Sequence, residues 1–369
     1  MRNSADWLAR LDNITGARLS WRRHRLEFCV PSGTSRGVLR EKLTWFVLIH
    51  DANGELKGVG ECSPIPGLSI DPIDAIAPIL DRVCANPDLL RFEARGETDE
   101  LAAYPCVEFG LETAVLDIGN SRSAGVLFDN AFSRGDTGIA INGLVWMGSP
   151  DYMQQQIDAK LDDGFTCIKL KIGALDFAAE LDLLKNLRTR YGASDLEIRV
   201  DANGAFPASE AMSRLNALSA FALHSIEQPI APGQISEMGD LCRRSPIPIA
   251  LDEELIGVME PAERKRLLEE IRPQYLILKP SLLGGIDASL HWLRLAEQLG
   301  IRWWFTSALE SNVGLNAIAQ LVSETQAAAP QGLGTGKIYR NNVPSPLALA
   351  SGTLFYRPQA AWNYEGLHG

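Results

Sequence analysis

Hydrophobic and polar positions change rhythm once along this chain. From about residue 138, short apolar runs recur: GIAINGLVW (138–146), TCIKLKIG (166–173), LEIRVD (196–201), LHSIEQP (223–229), IPIALDEE (247–254), YLILKP (275–280), IRWWFTS (301–307) and the Gly332-Leu333-Gly334 region. Amphipathic patterns of helical spacing separate them, among them 150–163, 175–190, 208–219 and 312–325. Short apolar runs bounded by turn signals read as buried strands, and a strand–helix repeat means parallel strands with right-handed crossovers. About eight strand candidates, each followed by a helix except the last, predict a closed (β/α)7β barrel. An open doubly wound sheet is the rival, but no G-x-G-x-x-G follows an early strand.

The earlier part is irregular. Residues 19–30 and 43–50 read as strands, the second turning at Asp51-Ala52-Asn53-Gly54, with glycine-rich punctuation over Lys57–Pro64. Helical patterns cover 71–86 and 107–121, the second with Phe109, Leu111, Ala114, Val115 and Ile118 in one stripe. The polar loop Ser32–Gly37, with two glycines, has the composition of a mobile lid. The proline-bearing tail from 336 leaves the repeat. The predicted architecture is therefore α/β, a modified TIM barrel. An α+β capping domain (1–137) precedes the barrel (138–335), and the tail (336–369) returns to complete the cap.

The strand ends carry the chemistry. LEIRV runs into Asp201, HSI into Glu227 and IPIAL into Asp252, 26 and 25 residues apart by subtraction. Lys279 ends YLILK 27 residues later, and Lys171 lies 30 before Asp201. One such Asp usually caps a turn. Five charged groups at one level of five successive strands instead mark the C-terminal mouth of a barrel, where active sites lie. Three converging carboxylates repel one another unless a cation sits among them. An all-oxygen set favours Mg²⁺ first and Mn²⁺ second, and no His or Cys at a neighbouring strand end supports zinc. Lys169 and Lys171 share one strand face and flank that position, with Lys279 opposite. A lysine beside a divalent cation and a second ammonium has its charged form disfavoured, which makes it a candidate base. A metal gripping a substrate carboxylate, with lysines on both sides, suits removal of the adjacent proton: 1,1-proton transfer or β-elimination.

Composition narrows the partners. The net charge of −11 argues against nucleic acid or an anionic membrane, and no run of about 18 apolar residues suggests a span. The N-terminal residues lack the apolar core of a signal peptide. Six scattered cysteines without a C-x-x-C pair suit reduced thiols. A soluble cytoplasmic enzyme acting on a small carboxylate is expected, with an oligomer not indicated.

Taken together, the K-x-K strand, the Asp, Glu, Asp series and the later Lys resemble the enolase superfamily, in its muconate-lactonizing-enzyme subgroup. SGTSRGVLREK (32–42), GECSPIPGLSID (60–71), INGLVWMG (141–148) and especially TSALESNVGLNAIAQL (306–321) resemble the o-succinylbenzoate synthases. The resemblance implies that Asp201, Glu227 and Asp252 hold Mg²⁺ and that Lys171 removes the α-proton and assists departure of the hydroxyl. It implies that Lys169 tunes Lys171 and touches the substrate carboxylate, while Lys279 holds the opposite face. The implied reaction dehydrates 2-succinyl-6-hydroxy-2,4-cyclohexadiene-1-carboxylate to o-succinylbenzoate, towards menaquinone. Asn203, Ser307 and Ser311 are candidate substrate contacts, though Ser and Asn after strands also cap helices.

Rivals fare less well. Mandelate-type enzymes need a His at the seventh strand end, where this chain has Phe305-Thr306-Ser307, and its five histidines read as structural. Dipeptide epimerases carry a D-x-D at the eighth strand, where Gly332-Leu333-Gly334 has no acid. An N-succinylamino acid racemase shares the two-lysine site. A non-catalytic small-acid-binding barrel predicts a missing carboxylate or lysine, and none is missing.

Overall fold

A computed structural model describes residues 16–34, 37–90, 100–118, 124–325, 327 and 329–367, with backbone alone at 32–34, 88, 90 and 100. Three antiparallel strands open the chain: β1 (Arg18–Thr34), β2 (Gly37–His50) and β3 (Leu56–Cys62), in the order β1-β2-β3. The pairing runs from Arg18↔His50 to Thr34↔Gly37. Residues 32–34 and 37, read as part of a lid loop, are thus the end of a ribbon; Ser35 and Arg36 lie outside the described residues.

The glycine-rich stretch at 57–64 differs from its reading as punctuation. Most of it is β3, and its glycines serve packing. A Cβ on Gly60 would stand 1.8 Å from the Gly110 carbonyl oxygen, and one on Gly58 2.3 Å from that of Ala114. Helix α2 (Pro105–Asp117) therefore lies directly on the strand, the close approach that glycine permits. Helix α1 (Ile73–Ala85) turns Ile76, Ile79, Leu80 and Val83 into the same core.

Seven parallel strands follow: β5 (Gly143–Val145), β6 (Cys167–Lys171), β7 (Glu197–Asp201), β8 (Ser225–Glu227), β9 (Ile249–Leu251), β10 (Tyr275–Leu278) and β11 (Arg302–Phe305), each paired with the next. The preceding β4 (Ile139–Ala140) instead joins the tail hairpin, β12 (Leu347–Ala350) and β13 (Thr353–Tyr356). The connecting helices are α3 (Pro150–Asp162), α4 (Phe177–Arg190), α5 (Ala208–Leu218), α6 (Ile235–Arg244) and α7 (Pro261–Ile271). They are followed by α8 (Pro280–Leu283), α9 (Gly285–Leu299) and α10 (Asn312–Thr325). Local chemistry sets their starts. Ser149 Oγ accepts from Tyr152 N at 3.3 Å with Pro150 behind it, and the Asp176 carboxylate accepts from Ala178 N at 3.1 Å.

The eighth barrel strand shrinks to two bridging residues. Gln331 N donates to Ala140 O at 2.8 Å and Gln331 O accepts from Asn142 N at 2.9 Å. On the other side Gly332 N donates to Phe305 O at 2.8 Å and its carbonyl accepts from Ser307 N at 3.0 Å. These bonds close the ring between the first and seventh strands. The tail then runs along β1, where Cys29 N donates to Ile338 O at 2.7 Å and Arg340 N to Glu27 O at 2.9 Å.

Candidate active site

Ladder register, rather than loop conformation, sets the charged level. Lys171 lies opposite Asp201, and Asp201 opposite Glu227, with Asp252 one residue past the end of β9. Lys169 Nζ donates to Asp201 Oδ2 at 3.1 Å and to Glu227 Oε2 at 2.7 Å. Lys171 Nζ donates to the same Asp201 oxygen at 2.5 Å and to Asn203 Oδ1 at 2.7 Å. Across the mouth, Lys279 Nζ donates to Asp252 Oδ2. The five strand-end groups and Lys169 thus gather in the mouth as a Lys171–Asp201–Lys169–Glu227 cluster and a facing Lys279–Asp252 pair. The repulsion expected among the carboxylates is relieved here by ammonium groups.

Burial and pairing pull their protonation apart. Desolvation opposes the charges on Lys169 and Lys279, but the carboxylates outweigh it: chiefly Glu227 and Asp201 for the first, Asp252 for the second. Both pKa values rise. Asp201 is likewise penalised by burial, yet Lys171 and Lys169 hold it well below the carboxylate range. Glu227 goes the other way, pushed up by burial and by Asp201 despite Lys169. A row of acids with opposed shifts in one cleft is the electrostatic mark of a functional site.

The network forms the floor of a cavity of about 230 Å³. Lys169, Lys171 and Lys279 line it, with Asn203 and Glu253 beside them. Its walls are apolar: Ile65, Pro66 and Leu39 from the cap, Leu144, Trp146 and Leu309 from the barrel. Asn203 adopts a left-handed φ of 44°, held by its own N–H to Asp201 Oδ1 at 3.0 Å and by Nδ2 to Glu253 Oε1 at 2.9 Å. Ser307 lines the cavity, but its hydroxyl donates to Glu310 at 2.5 Å and accepts from Thr335 at 2.8 Å. Ser311 does not line it. Its hydroxyl donates to Glu61 at 2.5 Å and accepts from Val313 N, starting α10.

Sequence reasoning passed over several residues of this site. Glu253 directly follows a strand-ending acid and so carried a signal. Asn142 immediately precedes the first barrel strand and Thr306 follows the seventh; both line the cavity, and the buried Asn142 Oδ1 and Thr306 Oγ1 have no hydrogen-bond partner. Lys42, Glu61 and Glu310 each also bond a segment far away in the chain, which no local signal shows.

The donor set fits a hard divalent cation. Asp201, Glu227 and Asp252 are all-oxygen donors on adjacent strands, and the buried Glu227 Oε1 and Asp252 Oδ1 have no hydrogen-bond partner. Among the described residues, no three acidic, His or Cys side chains gather as a ready metal cage. For the three carboxylates to face one cation, the Lys169 bridge between Asp201 and Glu227 must open.

Comparison with known proteins agrees with this geometry. Residues 152–357 match the "Enolase C-terminal domain-like" family model. The o-succinylbenzoate synthase of Desulfotalea psychrophila is 48% identical, across 92% of this chain and 99% of that one. The crystal structure of MenC from Desulfotalea psychrophila superposes with a TM-score of 0.80 at 45% identity, covering 92% of this chain and 100% of that chain. The N-succinylamino acid racemase of an Amycolatopsis species is 26% identical over 90% of each chain. The chain belongs to the enolase C-terminal domain-like family of the enolase superfamily.

Proposed function

We propose that this chain is an o-succinylbenzoate synthase, a hydro-lyase that converts 2-succinyl-6-hydroxy-2,4-cyclohexadiene-1-carboxylate to o-succinylbenzoate and water in cytoplasmic menaquinone synthesis. The observation that carries the reading is the cavity itself: lysines on two sides, each paired to a buried carboxylate behind it, between apolar walls. The 48% identity to a synthase, over 92% of this chain and 99% of that one, supports the same choice. In this reading residues 1–137 and 336–369 form the cap and 138–335 the barrel.

Asp201, Glu227 and Asp252 would hold Mg²⁺, with Mn²⁺ second. Such an ion supplies Lewis-acid stabilisation of charge developing on the substrate carboxylate. Lys171 acts as base: its Nζ takes the α-proton and then gives a proton to the hydroxyl leaving from the same face. The C–H and C–O bonds break, a ring double bond forms, and one water leaves. Lys169 holds the substrate carboxylate and Lys171 in register. Lys279 stays protonated, held so by Asp252, and faces the forming ring as a cation. The apolar walls exclude water, which strengthens each of these interactions.

The test is loss of the diene absorbance on adding substrate. Expected are dependence on Mg²⁺, abolition by chelator and a fall of at least about 10³-fold in Lys171→Ala. Full activity in Lys171→Ala would remove Lys171 as the base. A second reading, racemisation of N-succinylamino acids, is favoured by lysines on both sides of the cavity and by the racemase relative. Incubation of N-succinyl amino acids with enzyme in D₂O decides it. Deuterium uptake at the α-carbon at the dehydration rate makes the enzyme bifunctional, and none leaves dehydration alone.

A further inference from the structure

The seam between cap and barrel holds a buried cation that the chemistry above does not use. Lys42, on β2, is 3% exposed. Its three ammonium protons go to three neutral acceptors: Ser63 Oγ at 2.8 Å, Ala308 O at 2.9 Å and Leu309 O at 2.9 Å. Ser63 belongs to the cap and precedes the cavity-lining Ile65 and Pro66, while Ala308 and Leu309 line the cavity from the seventh barrel loop. One side chain therefore ties together both halves of the apolar wall.

Two observations show that this loop needs holding. Leu309 sits at φ 63°, a left-handed conformation that a Leu adopts at a cost. Its carbonyl is gripped twice, by Lys42 and by the Tyr339 hydroxyl at 2.7 Å. Lys42 also lies between two wholly buried carboxylates. Glu61 of the cap accepts from Ser311 N, Ser311 Oγ and Gly314 N, fixing the start of α10. Glu310 of the loop accepts from Ser307 and from Ser281, two residues beyond Lys279. The ammonium offsets both negative charges from the seam.

We infer that Lys42 is a positioning residue for the reaction: its charged side chain latches the cap to the Ala308–Leu309 loop and so sets the wall against which substrate packs. It touches no reacting group. This role deepens the proposed dehydration and rests on that reading for its kinetic arm. A latch of this kind acts on substrate binding more than on the chemical step.

Burial lowers the pKa of Lys42 to about 8, against the opposing pull of Glu310 and Glu61. The other titratable neighbours, the Cys106 thiol and the Tyr339 hydroxyl, are both pushed well up and stay neutral. The latch is whole below about pH 8 and loses a donor above it.

The experiment pairs Lys42→Met with Tyr339→Phe, which removes one hydroxyl from the same carbonyl. Amide hydrogen exchange over 305–311 in the free protein needs no substrate. Exchange there should speed up about tenfold or more in Lys42→Met and less in Tyr339→Phe. In turnover, Lys42→Met should raise KM about tenfold at pH 7 with kcat within about threefold, the KM ratio to wild type narrowing above pH 8. Exchange over 305–311 unchanged in both variants overturns the latch. So does a KM ratio that is flat with pH, or an effect confined to kcat. Should Lys42→Met not fold, the Tyr339→Phe exchange and KM decide alone. Wild-type protein that fails to dehydrate the substrate would count against the proposed activity, while the exchange arm still judges the latch.

Discussion

Replacing Lys169 with Met separates the two lysines of the K-x-K strand by stability alone. In the present arrangement Glu227 Oε2 accepts from Lys169 at 2.7 Å and Glu227 Oε1 has no partner. Lys169→Met leaves that carboxylate buried and unpaired, and removing one partner of a buried ion pair costs about 3–5 kcal/mol. Lys171→Met is milder. Asp201 keeps Lys169 at 3.1 Å and the Asn203 N–H at 3.0 Å, so no buried carboxylate is left unpaired, and losing the bonds of Lys171 to Asp201 and Asn203 costs about 1–3 kcal/mol. Urea unfolding followed by the fluorescence of the eight tryptophans, with chelator present, measures both. A slope of about 3 kcal/mol/M or more turns the first cost into a midpoint shift of about 1 M. The pH dependence gives a second signature. Glu227 has a raised pKa in the folded protein, so the folded state binds its proton more tightly than the unfolded chain does. Protonation therefore favours folding, and the Lys169→Met deficit should shrink from pH 8 to pH 5.5. Equal costs for the two variants, or a Lys169→Met deficit that grows on acidification, would refute the reasoning.

Two further outcomes follow from the cap. Gly60→Ala should abolish soluble folding or cost more than about 3 kcal/mol, because all three atoms its Cβ would strike are backbone, whereas Gly366→Ala, with open space, should melt like wild type. Asp71, whose pKa burial raises to about 6, accepts the Cys106 amide at 2.9 Å to start α2. The folded state holds that proton more tightly, so wild-type stability should rise as pH falls from about 6 to about 4, and Asp71→Asn should lose this dependence in melting scans.

The order Lys, Asp, Glu, Asp, Lys at successive strand ends was legible in the sequence because a parallel barrel repeats its register. Each strand end reaches the mouth at the same level, and spacings of 25 to 30 residues identify the residue there. The same repeat made the barrel readable, and even the anomalous TCIKLKIG strand, since its lysines share a face. The glycine pair Gly58 and Gly60 misled, because a turn and a close helix contact favour the same residue.

Three features awaited the tertiary structure. The ring closes through only Gln331 and Gly332, too few residues to carry a period. The lysines themselves neutralise the carboxylate floor, since which oxygen faces which ammonium depends on side-chain geometry across strands. The third is the seam of Lys42, Glu61 and Glu310, whose partners lie as far as 267 residues away. Sequence alone determined what stands on each strand, because backbone periodicity is local. The tertiary structure decided what each side chain touches, because burial and pairing are settled only when distant segments meet.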